Sequence, residues 1–419
     1  MKKVSFHTLG CKVNFAETST LARGYEAEGF VRVGERAEAD VYVVNSCSVT
    51  AAADKKCRNL IARLHRRSPL AQIVVGGCYA ARVPGEVASL PGVTRVLERD
   101  MERFCGAYSA GDRTRSFLKV QDGCDYRCSY CTIHSARGSS RNGSVASLVS
   151  QAREIASTGV REIVLTGVNT GDFGRTTGES FLSLLSALDG VEGIERYRIS
   201  SIEPNLLTDQ IIDFCAASRA FQPHFHIPLQ SGCDRILGLM RRRYTTAKFA
   251  DRIARVRSVM PDAFFGIDVI VGFPGETDED FEETFEFLSL VRPAQLHVFP
   301  YSVRPGTPAA EMPLRVSPKV AAARAARLGA LSEQLLAEFY GRFSGCPARV
   351  LWEGGGDSRS RAASRIGAGG AGRSGGEEGS ESAEGSGGGL MGGFTGNYIR
   401  VTAPYDPARV NKIVEVTLP

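Results

Sequence analysis

Hydrophobic runs of strand length alternate with amphipathic runs of helix length in residues 1–110. Strand-like runs cover 4–9, 41–45 and 73–75, and helix-like runs cover 15–28 and 51–65. This alternation between a period of two and a period near 3.6 predicts a small α/β domain. A cysteine follows each predicted strand, namely Cys11, Cys47 and Cys78. Because ligands bind at the carboxyl ends of strands in open α/β sheets, we expect these three thiols to converge.

The same alternation repeats six times in residues 111–343. The predicted strands are 116–120, 162–166, 197–201, 224–227, 264–271 and 295–299. Six strand-helix units with right-handed crossovers predict a partial (β/α)6 barrel, an open form of the (β/α)8 barrel, with its chemistry at the carboxyl ends of the strands. The residues just after five of these strands are Cys124, Asn169, Glu203, Gln230 and Pro274.

Residues 344–419 follow an alanine-rich helix predicted over 318–343. Short strand patterns at 348–352, 397–402 and 412–418 predict a small β-barrel. Between them, residues 354–389 are mostly glycine, serine, arginine and glutamate. Such a composition buries too little apolar surface to fold, so we expect a flexible insertion.

Composition narrows the class of protein. The chain of 419 residues is 43% hydrophobic and 23% charged, as soluble globular proteins are. It shows neither an export signal nor the roughly 18 to 20 continuous apolar residues that a membrane span requires, so the sequence predicts a cytoplasmic protein without a membrane partner. In that reducing compartment, the eleven cysteines are expected to bind metal or react. The net charge of +5 permits a polyanionic partner without predicting one.

Three closely spaced cysteines follow the first strand of the predicted barrel. Cys124, Cys128 and Cys131 are separated by three and then two residues, so one loop can wrap a cuboidal cluster. A [4Fe-4S] cluster normally takes four thiolates, and three leave one iron open to bind the amino and carboxylate groups of S-adenosylmethionine. A structural zinc site is the alternative, but zinc favours two pairs of ligands and no second pair follows at suitable spacing.

The segment 123–131 resembles the radical SAM superfamily, and with other motifs it resembles the methylthiotransferases of that superfamily over nearly the whole chain. The other matching segments are 8–14, 45–50, 76–80, 226–232, 272–277, 304–308 and 393–401. The resemblance implies two [4Fe-4S] clusters, one on Cys124, Cys128 and Cys131 and an auxiliary one on Cys11, Cys47 and Cys78. It also implies that segment 393–401 belongs to an RNA-binding TRAM barrel.

Within this family, Lys12 and the sequence of segment 47–50 most resemble the threonylcarbamoyladenosine tRNA methylthiotransferases. Those enzymes modify carbon 2 of the adenosine just 3′ of the anticodon. The resemblance implies that one S-adenosylmethionine methylates sulfur at the auxiliary cluster, and that another gives the radical that removes the hydrogen from carbon 2. The implied partners are the tRNA anticodon stem-loop, an electron donor such as flavodoxin or ferredoxin, and a sulfur source.

Residues near the predicted barrel rim are candidate contacts to S-adenosylmethionine. The resemblance places Thr166, Gly167 and Asn169 where the superfamily contacts the methionine amino group. Glu203 and Gln230 are candidates for the ribose or the carboxylate. For each of these polar groups, the alternative is a structural role with a satisfied hydrogen bond.

Six arginines are candidate RNA contacts, because a guanidinium group suits phosphate and stacks on unpaired bases. They are Arg137 and Arg141 beside the cysteine loop, the run Arg241, Arg242 and Arg243, and Arg400 in the β-barrel. Solvated surface charge is the alternative for each.

The N-terminal cysteines and the substrate each allow a second interpretation. In the second interpretation of the N-terminal cysteines, Cys11, Cys47 and Cys78 are small buried residues without a ligand, since free cysteine is among the most buried residue types. The remaining five cysteines receive no role: Cys57, Cys105, Cys215, Cys233 and Cys346.

The alternative substrates are isopentenyladenosine in tRNA and a ribosomal protein aspartate. A further alternative function is that of a non-catalytic iron-sulfur protein that binds RNA.

Two residues beside the cysteine loop depart from the family pattern. His134 and Ser135 stand where proline and an aromatic or apolar residue usually follow. The family pattern therefore does not predict the shape of the pocket beside the cluster.

Overall fold

The computed structural model describes residues 1–354 and 389–419. The predicted insertion 354–389 lies outside the described residues except for its two terminal glycines. In the described parts of the chain, every helix is too short or too polar to span a membrane.

The N-terminal part forms a parallel sheet in the order β2-β1-β3-β4-β5. The strands are β1 (Lys3–Leu9), β2 (Val31–Val33), β3 (Val41–Ser46), β4 (Gln72–Gly76) and β5 (Val93–Val96). The helices are α1 (Lys12–Ala27), α2 (Ala51–Arg67), α3 (Gly77–Arg82) and α4 (Pro84–Ala88). Hydrophobic periodicity predicts β1, β3 and β4 but not β2 and β5. These two are short edge strands with exposed residues, so they lack the continuous apolar run of a buried parallel strand.

The central part contains six parallel strands that follow one another in chain order. They are β7 (Arg115–Lys119), β10 (Glu162–Thr166), β11 (Arg196–Ile199), β12 (His224–Gln230), β13 (Phe264–Val271) and β14 (Gln295–Pro300). Ladders join β7, β10 and β11 in one set and β12, β13 and β14 in another. Isolated bridges at Tyr197–Phe221 and Ser201–His226 connect the two sets. The predicted partial (β/α)6 barrel is confirmed.

Helices cover the outside of this barrel. They are α6 (Val145–Ser157), α7 (Phe181–Asp189), α8 (Asp209–Ala217), α9 (Asp234–Leu239), α10 (Thr246–Val259) and α11 (Asp278–Val291). Local sequence fixes where these helices begin, as α11 shows. Thr277 and Asp280 form a reciprocal capping box there, and three acidic residues lie in the first turn. One continuous apolar core joins α6, α7, α8, α10 and α11 to the strands, with Leu165, Phe225 and Phe265 among its buried members. Ile236 of α9 belongs to a separate apolar cluster.

Short elements surround the cysteine loop of the barrel. They are β6 (Ala107–Tyr108), β8 (Gln121–Asp122), α5 (Ile133–Arg137) and β9 (Arg141–Asn142). β8 pairs antiparallel with β9, so the chain enters and leaves the loop side by side. This pairing holds both ends of the loop at the carboxyl end of β7.

The C-terminal part begins after the long helix α12 (Pro318–Gly341) and forms a four-stranded antiparallel sheet. Its strands are β15 (Pro347–Trp352), β16 (Leu390–Phe394), β17 (Arg400–Pro404) and β18 (Ile413–Thr417), in the order β17-β16-β15-β18. The predicted small β domain is confirmed, and in the described residues its four strands form an open sheet with β17 and β18 at the two edges. The sequence does not predict β16, because its two central glycines carry no strand signal.

Buried charges fasten this β domain to the amino-terminal end of the barrel. Arg198 donates from its two Nη atoms to the carbonyl oxygens of Thr395 and Gly396, each at 2.7 Å. Its Nε donates to Oε1 of Glu162, the fully buried first residue of β10, at 2.8 Å. These hydrogen bonds offset the cost of burying the pair. Segment 393–401 thus lies at the end of the barrel opposite the cysteine loop.

Candidate active site

Cys11, Cys47 and Cys78 lie at one edge of the N-terminal sheet. Cys11 directly precedes α1, Cys47 follows β3, and Cys78 lies in α3 just after β4. Because β1, β3 and β4 are neighbours, their carboxyl ends bring the three thiols to the same place. Burial raises the pKa of Cys47 to about 12, and the nearby thiols of Cys11 and Cys78 contribute to this rise.

Asparagine and glycine residues make this convergence possible. Asn14 Nδ2 donates to Asn45 Oδ1 at 2.9 Å, and Asn45 Nδ2 donates back to the Asn14 carbonyl at 2.9 Å. This exchange ties the start of α1 to the end of β3. Gly77 has φ +90°, and a Cβ there would lie 2.3 Å from the carbonyl oxygen of Ser46. Only glycine therefore allows α3 to start against β3.

Cys124, Cys128 and Cys131 occupy the loop between β8 and α5. Backbone N–H groups point at two of the sulfur atoms: Tyr126 N lies 3.4 Å from Cys124 Sγ, and Ile133 N lies 3.4 Å from Cys131 Sγ. Such donors favour a sulfur that carries negative charge, as a metal-bound thiolate does. The loop geometry therefore suits thiolate ligation.

His134 and Ser135, the two residues that depart from the family pattern, form hydrogen bonds within the loop. His134 Nδ1 lies 2.9 Å from the Cys124 carbonyl oxygen, and Ser135 Oγ donates to the Thr132 carbonyl at 2.8 Å. These local hydrogen bonds fix the first turn of α5. The departure from the family pattern thus becomes part of the loop support.

Arg242 contacts Cys128, the remaining thiol of this loop. Its Nη1 donates to Cys128 Sγ at 3.1 Å, and its Nη2 forms an ion pair with Glu203. Burial raises the pKa of Glu203, an effect that the Arg242 charge opposes. Glu203 thus has a partner in the protein, which matches the structural alternative for this residue.

The two cysteine sets adjoin. Thr132, the residue after Cys131, donates from Oγ1 to the carbonyl of Ser48, the residue after Cys47, at 3.3 Å. A second link lies beside it, where Arg304 donates to Asp54 Oδ2 at 2.7 Å and to Ser48 Oγ at 3.0 Å. Arg304, Asp54 and Ser48 are all buried. The N-terminal domain is therefore clamped to the barrel next to Cys47.

Each set fits an iron-sulfur cluster. Thiolates are the soft ligands that such clusters take, and three of them leave one iron of a cube open. The structure describes all six cysteines. In each set, at least two of the three sulfur atoms are more than 4.8 Å apart. A single tetrahedral zinc ion with bonds of about 2.3 Å holds its sulfurs roughly 3.8 Å apart. The wider separation favours a cluster over a single ion.

The protonation of the loop thiols has a consequence for assembly. Burial raises the pKa of Cys124 to about 12. A thiol with that pKa is protonated at neutral pH, so binding of metal must release its proton.

The carboxyl end of β10 carries an unpaired buried amide. Asn169 is 3% exposed, and among the described residues neither its Oδ1 nor its Nδ2 has a hydrogen-bond partner. Its backbone N–H donates to Gln121 Oε1 at 2.9 Å, which fixes the turn that begins at Gly167. A Cβ at Gly167 would lie 2.9 Å from the same oxygen. Thr166 is buried as the last residue of β10. This amide is free to bind a polar ligand.

Gln230 ends β12 in a strained conformation. Its φ is +71°, and the register of β12 against β13 shifts between Pro228 and Gln230. Left-handed backbone at a non-glycine residue costs on the order of 1 to 3 kcal/mol and clusters at functional sites. Its side chain is half-buried at the same rim as Asn169.

Replacement of Asn169 by alanine is expected to weaken binding of S-adenosylmethionine roughly tenfold, the size expected for one hydrogen bond to a polar or charged ligand group. Equilibrium binding to the anaerobically reconstituted protein measures this change in Kd. Gln222→Ala, before β12 at the opposite end of the barrel, is the matched control and should bind as the wild type does. An unchanged Kd in Asn169→Ala would contradict the assignment.

The structure does not support RNA contacts at Arg137 and Arg141. Their exposed fractions are 1% and 4%. Arg141 donates to the carbonyl oxygens of Arg103 and Asp100, at 2.9 and 3.0 Å, and Arg137 donates to groups of the N-terminal domain. Both guanidinium groups are used inside the protein, so neither offers a surface to RNA. Arg241, Arg243 and Arg400 are exposed, and their RNA contacts stay predictions.

The inward contacts of two arginines are not identified by the sequence pattern. Arg242 lies in the run 241–243 that is predicted to contact RNA, but its side chain is 4% exposed and contacts Cys128 and Glu203. Nothing local distinguishes this inward-facing side chain from its neighbours. Arg304 opens the matching segment 304–308, so a signal existed for its importance but not for its contact with Asp54.

Comparison with known proteins places these features among related chains. Residues 118–288 match the model of the radical SAM superfamily, and residues 3–97 match that of the uncharacterized protein family UPF0004. The fold resembles the radical S-adenosylmethionine methyltransferase TsrM from Kitasatospora setae, with a TM-score of 0.52, 15% identity, and coverage of 74% of this chain and 75% of that one.

Curated relatives match over most of their length. The threonylcarbamoyladenosine tRNA methylthiotransferase MtaB of Bacillus subtilis is 41% identical over 374 residues, covering 82% of this chain and 83% of the relative. The protein of the same name from Aquifex aeolicus is 35% identical, covering 83% and 92%. The tRNA-2-methylthio-N(6)-dimethylallyladenosine synthase of Acidothermus cellulolyticus is 35% identical, covering 79% and 73%.

Proposed function

This chain belongs to the radical SAM methylthiotransferase family, and we propose that it adds a methylthio group to carbon 2 of N6-threonylcarbamoyladenosine beside the anticodon of tRNA. The observation that carries the proposal is the pair of adjoining sets of three thiols. One set lies on the barrel and the other on the N-terminal domain, and Thr132 and Ser48 join them. Sulfur transfer onto an unactivated carbon needs both a radical source and a sulfur carrier within reach of one substrate.

The choice among substrates is supported by relatives. The Bacillus subtilis protein, named for threonylcarbamoyladenosine, is 41% identical, whereas the dimethylallyladenosine synthase of Acidothermus cellulolyticus is 35% identical. The sequence of segment 47–50 supports the same choice. Isopentenyladenosine in tRNA is the alternative that the experiment below identifies. For a ribosomal protein aspartate, the other alternative, the same experiment would find both tRNA nucleosides unchanged.

The family membership brings S-adenosylmethionine and a [4Fe-4S] cluster, which Cys124, Cys128 and Cys131 would hold. The second cluster is part of the proposal, with Cys11, Cys47 and Cys78 as its ligands. When bound, the first cluster would supply the electron that cleaves S-adenosylmethionine, and the second would carry sulfur from a separate source for transfer to the substrate.

The chain's own residues bind and orient the reactants in this proposal. The buried amide of Asn169, with Thr166 and Gly167, binds the methionine end of the cofactor. Gln230 faces it from β12. Arg242 holds Cys128 and forms an ion pair with Oε2 of Glu203. The other carboxylate oxygen of Glu203 would bind the ribose of the cofactor.

The remaining proposals concern domains and partners. Residues 1–110 would carry the sulfur site, 111–343 the cofactor site, and 344–419 the RNA-binding part, where exposed Arg400 on β17 contacts tRNA together with Arg241 from the barrel. We place the reaction in the cytoplasm, with an electron donor such as flavodoxin or ferredoxin and a separate sulfur source.

Nucleoside mass spectrometry of tRNA tests the proposed substrate. A strain that lacks the gene is expected to lose methylthio-threonylcarbamoyladenosine and accumulate its precursor, and the wild-type gene should restore it. Loss of methylthio-isopentenyladenosine instead would identify the alternative tRNA substrate. Unchanged methylthio-threonylcarbamoyladenosine would reject the proposed one.

The non-catalytic alternative makes a different prediction. A protein that only binds RNA would form no 5′-deoxyadenosine when the reduced, anaerobically reconstituted chain meets S-adenosylmethionine. Chromatography of that reaction separates the two functions.

A further inference from the structure

Arg137 connects the two cysteine sets directly. It ends α5, the helix that follows the cysteine loop of the barrel, yet its Nε donates to Cys78 Sγ of the N-terminal domain at 3.1 Å. At 1% exposure it is among the most buried large side chains described. The barrel's own cysteine loop therefore presents a positive charge to the sulfur of the other set.

The same guanidinium reaches the second thiol of that set through Asn14. Arg137 Nη2 lies 3.4 Å from Asn14 Oδ1, and Cys11 Sγ donates to this oxygen at 3.1 Å. Nη1 donates to Asp122 Oδ1 at 2.9 Å and to Glu17 Oε1 at 3.1 Å. Each edge of the planar fork thus has its own partner, which a lysine cannot reproduce.

A charged network surrounds this contact between the N-terminal domain and the barrel. The carboxylates of Glu17 and Asp122 are the acidic members. The cations in ion pairs with them are Arg99, Lys119, Arg137 and Arg141. All six side chains are largely buried. Four cations face two carboxylates, so the network has two excess positive charges beside Cys78.

The geometry points to Arg137 as a positioning residue that sets the distance between the two cysteine sites and favours the reduced, more negative state of the site on Cys11, Cys47 and Cys78. Hydrogen bonds to sulfur and nearby net charge are the means by which a protein tunes a cluster potential. The inference rests on the proposed function, because it assumes a cluster at the second site. It adds that the two sites are coupled through one side chain that belongs to the first.

Two variants separate charge from geometry. Arg137→Lys keeps the positive charge and loses the fork, and Arg137→Gln loses the charge. Arg324→Lys is the matched control, because Arg324 is 5% exposed, is paired with Glu276 and Asp278, and has no hydrogen bond to a cysteine among the described residues. Thermal unfolding of all three shows whether any effect exceeds that of altering a buried arginine.

Redox titration followed by electron paramagnetic resonance is the first measurement. It uses the full chain with Cys124, Cys128 and Cys131 replaced by alanine, so that only the second site holds a cluster. Arg137→Gln is expected to shift the midpoint potential to more negative values, Arg137→Lys to shift it less, and Arg324→Lys to leave it unchanged. An unchanged potential in both Arg137 variants overturns the inference, and so does a lack of bound iron and sulfide in the Arg137-containing protein.

The second measurement compares two products of the enzyme with all its cysteines. The ratio of methylthiolated nucleoside to 5′-deoxyadenosine is expected to fall by roughly 10- to 100-fold in Arg137→Lys, the usual cost of losing an outer contact to a metal ligand. A ratio equal to that of Arg324→Lys overturns the inference. If the wild type cleaves S-adenosylmethionine but methylthiolates no tRNA, the proposed function fails, while the redox titration still decides the role of Arg137.

Discussion

Replacement of Cys128 by alanine is expected to abolish the formation of 5′-deoxyadenosine from S-adenosylmethionine. Cys128 is one of only three thiols in the barrel loop, and Arg242 fixes its sulfur from the other side. Removal of a ligand should cost more than the roughly 100-fold that loss of an outer contact costs. Anaerobic reconstitution, iron and sulfide analysis, and chromatography of the nucleoside product measure the loss.

A buried cysteine elsewhere in the barrel is the control for this variant. Cys215 lies in α8, is 4% exposed, and belongs to the apolar core. Cys215→Ala should retain iron, sulfide and turnover, with at most a modest loss of stability from the small cavity. Normal turnover in Cys128→Ala would remove the basis for radical chemistry at this loop.

Replacement of Cys47 by alanine is expected to separate the two halves of the reaction. The barrel loop is intact in this variant, so S-adenosylmethionine should still be cleaved to 5′-deoxyadenosine. Methylthiolation of tRNA should fall by more than roughly 100-fold, because the second site loses a ligand from its set of three. Nucleoside mass spectrometry and 5′-deoxyadenosine quantification in the same reaction give both numbers.

Cys57→Ala is the matched control in the N-terminal domain. Cys57 is fully buried in α2 and packs in the same core as β3 and β4. This variant should retain methylthiolation. Methylthiolation that persists in Cys47→Ala would show that Cys47 is a packing residue, the alternative that the burial of Cys47 and Cys78, though not the exposed Cys11, by itself allows.

The contacts between the domains keep the loss of one site from disturbing the other. Separate polar links hold the N-terminal domain to the barrel, one through Arg304 and Asp54 near Cys47 and one through Arg137 near Cys78. The Cys47 side chain belongs to neither link. Its removal should therefore leave the domain contact intact, which makes the separation of activities in Cys47→Ala a chemical test.

Local pattern was sufficient for the central elements of the fold. All six barrel strands lie within a few residues of the predicted ranges, and β10 and β13 agree at both ends. Buried parallel strands have continuous apolar runs, and their helices have a different period, so each element is recognised from its own residues. The edge strands β2 and β5 and the glycine-containing β16 lack that signal, because pairing with neighbours rather than composition makes them strands.

Pattern was less informative about charged residues. Arg137, Arg141 and Arg242 look like surface arginines in the sequence, yet the side chain of each is buried against a sulfur atom or a carboxylate. Arg137 and its partner Glu17 are 120 positions apart. Whether an arginine faces solvent depends on such distant partners, and no local period reports them.

The sequence by itself determined the order of the buried parallel strands and their helices and the two sets of three cysteines. Periodicity, the close cysteine spacing in the barrel loop and the cysteine after each buried N-terminal strand are all properties of neighbouring residues. Only the tertiary structure decided that the two sets adjoin, that segment 393–401 docks at the far end of the barrel, and that Arg137 lies between the sites. The physical reason is that burying a charge is favourable only where distant parts of the chain supply opposite charges and hydrogen bonds at the same point in space.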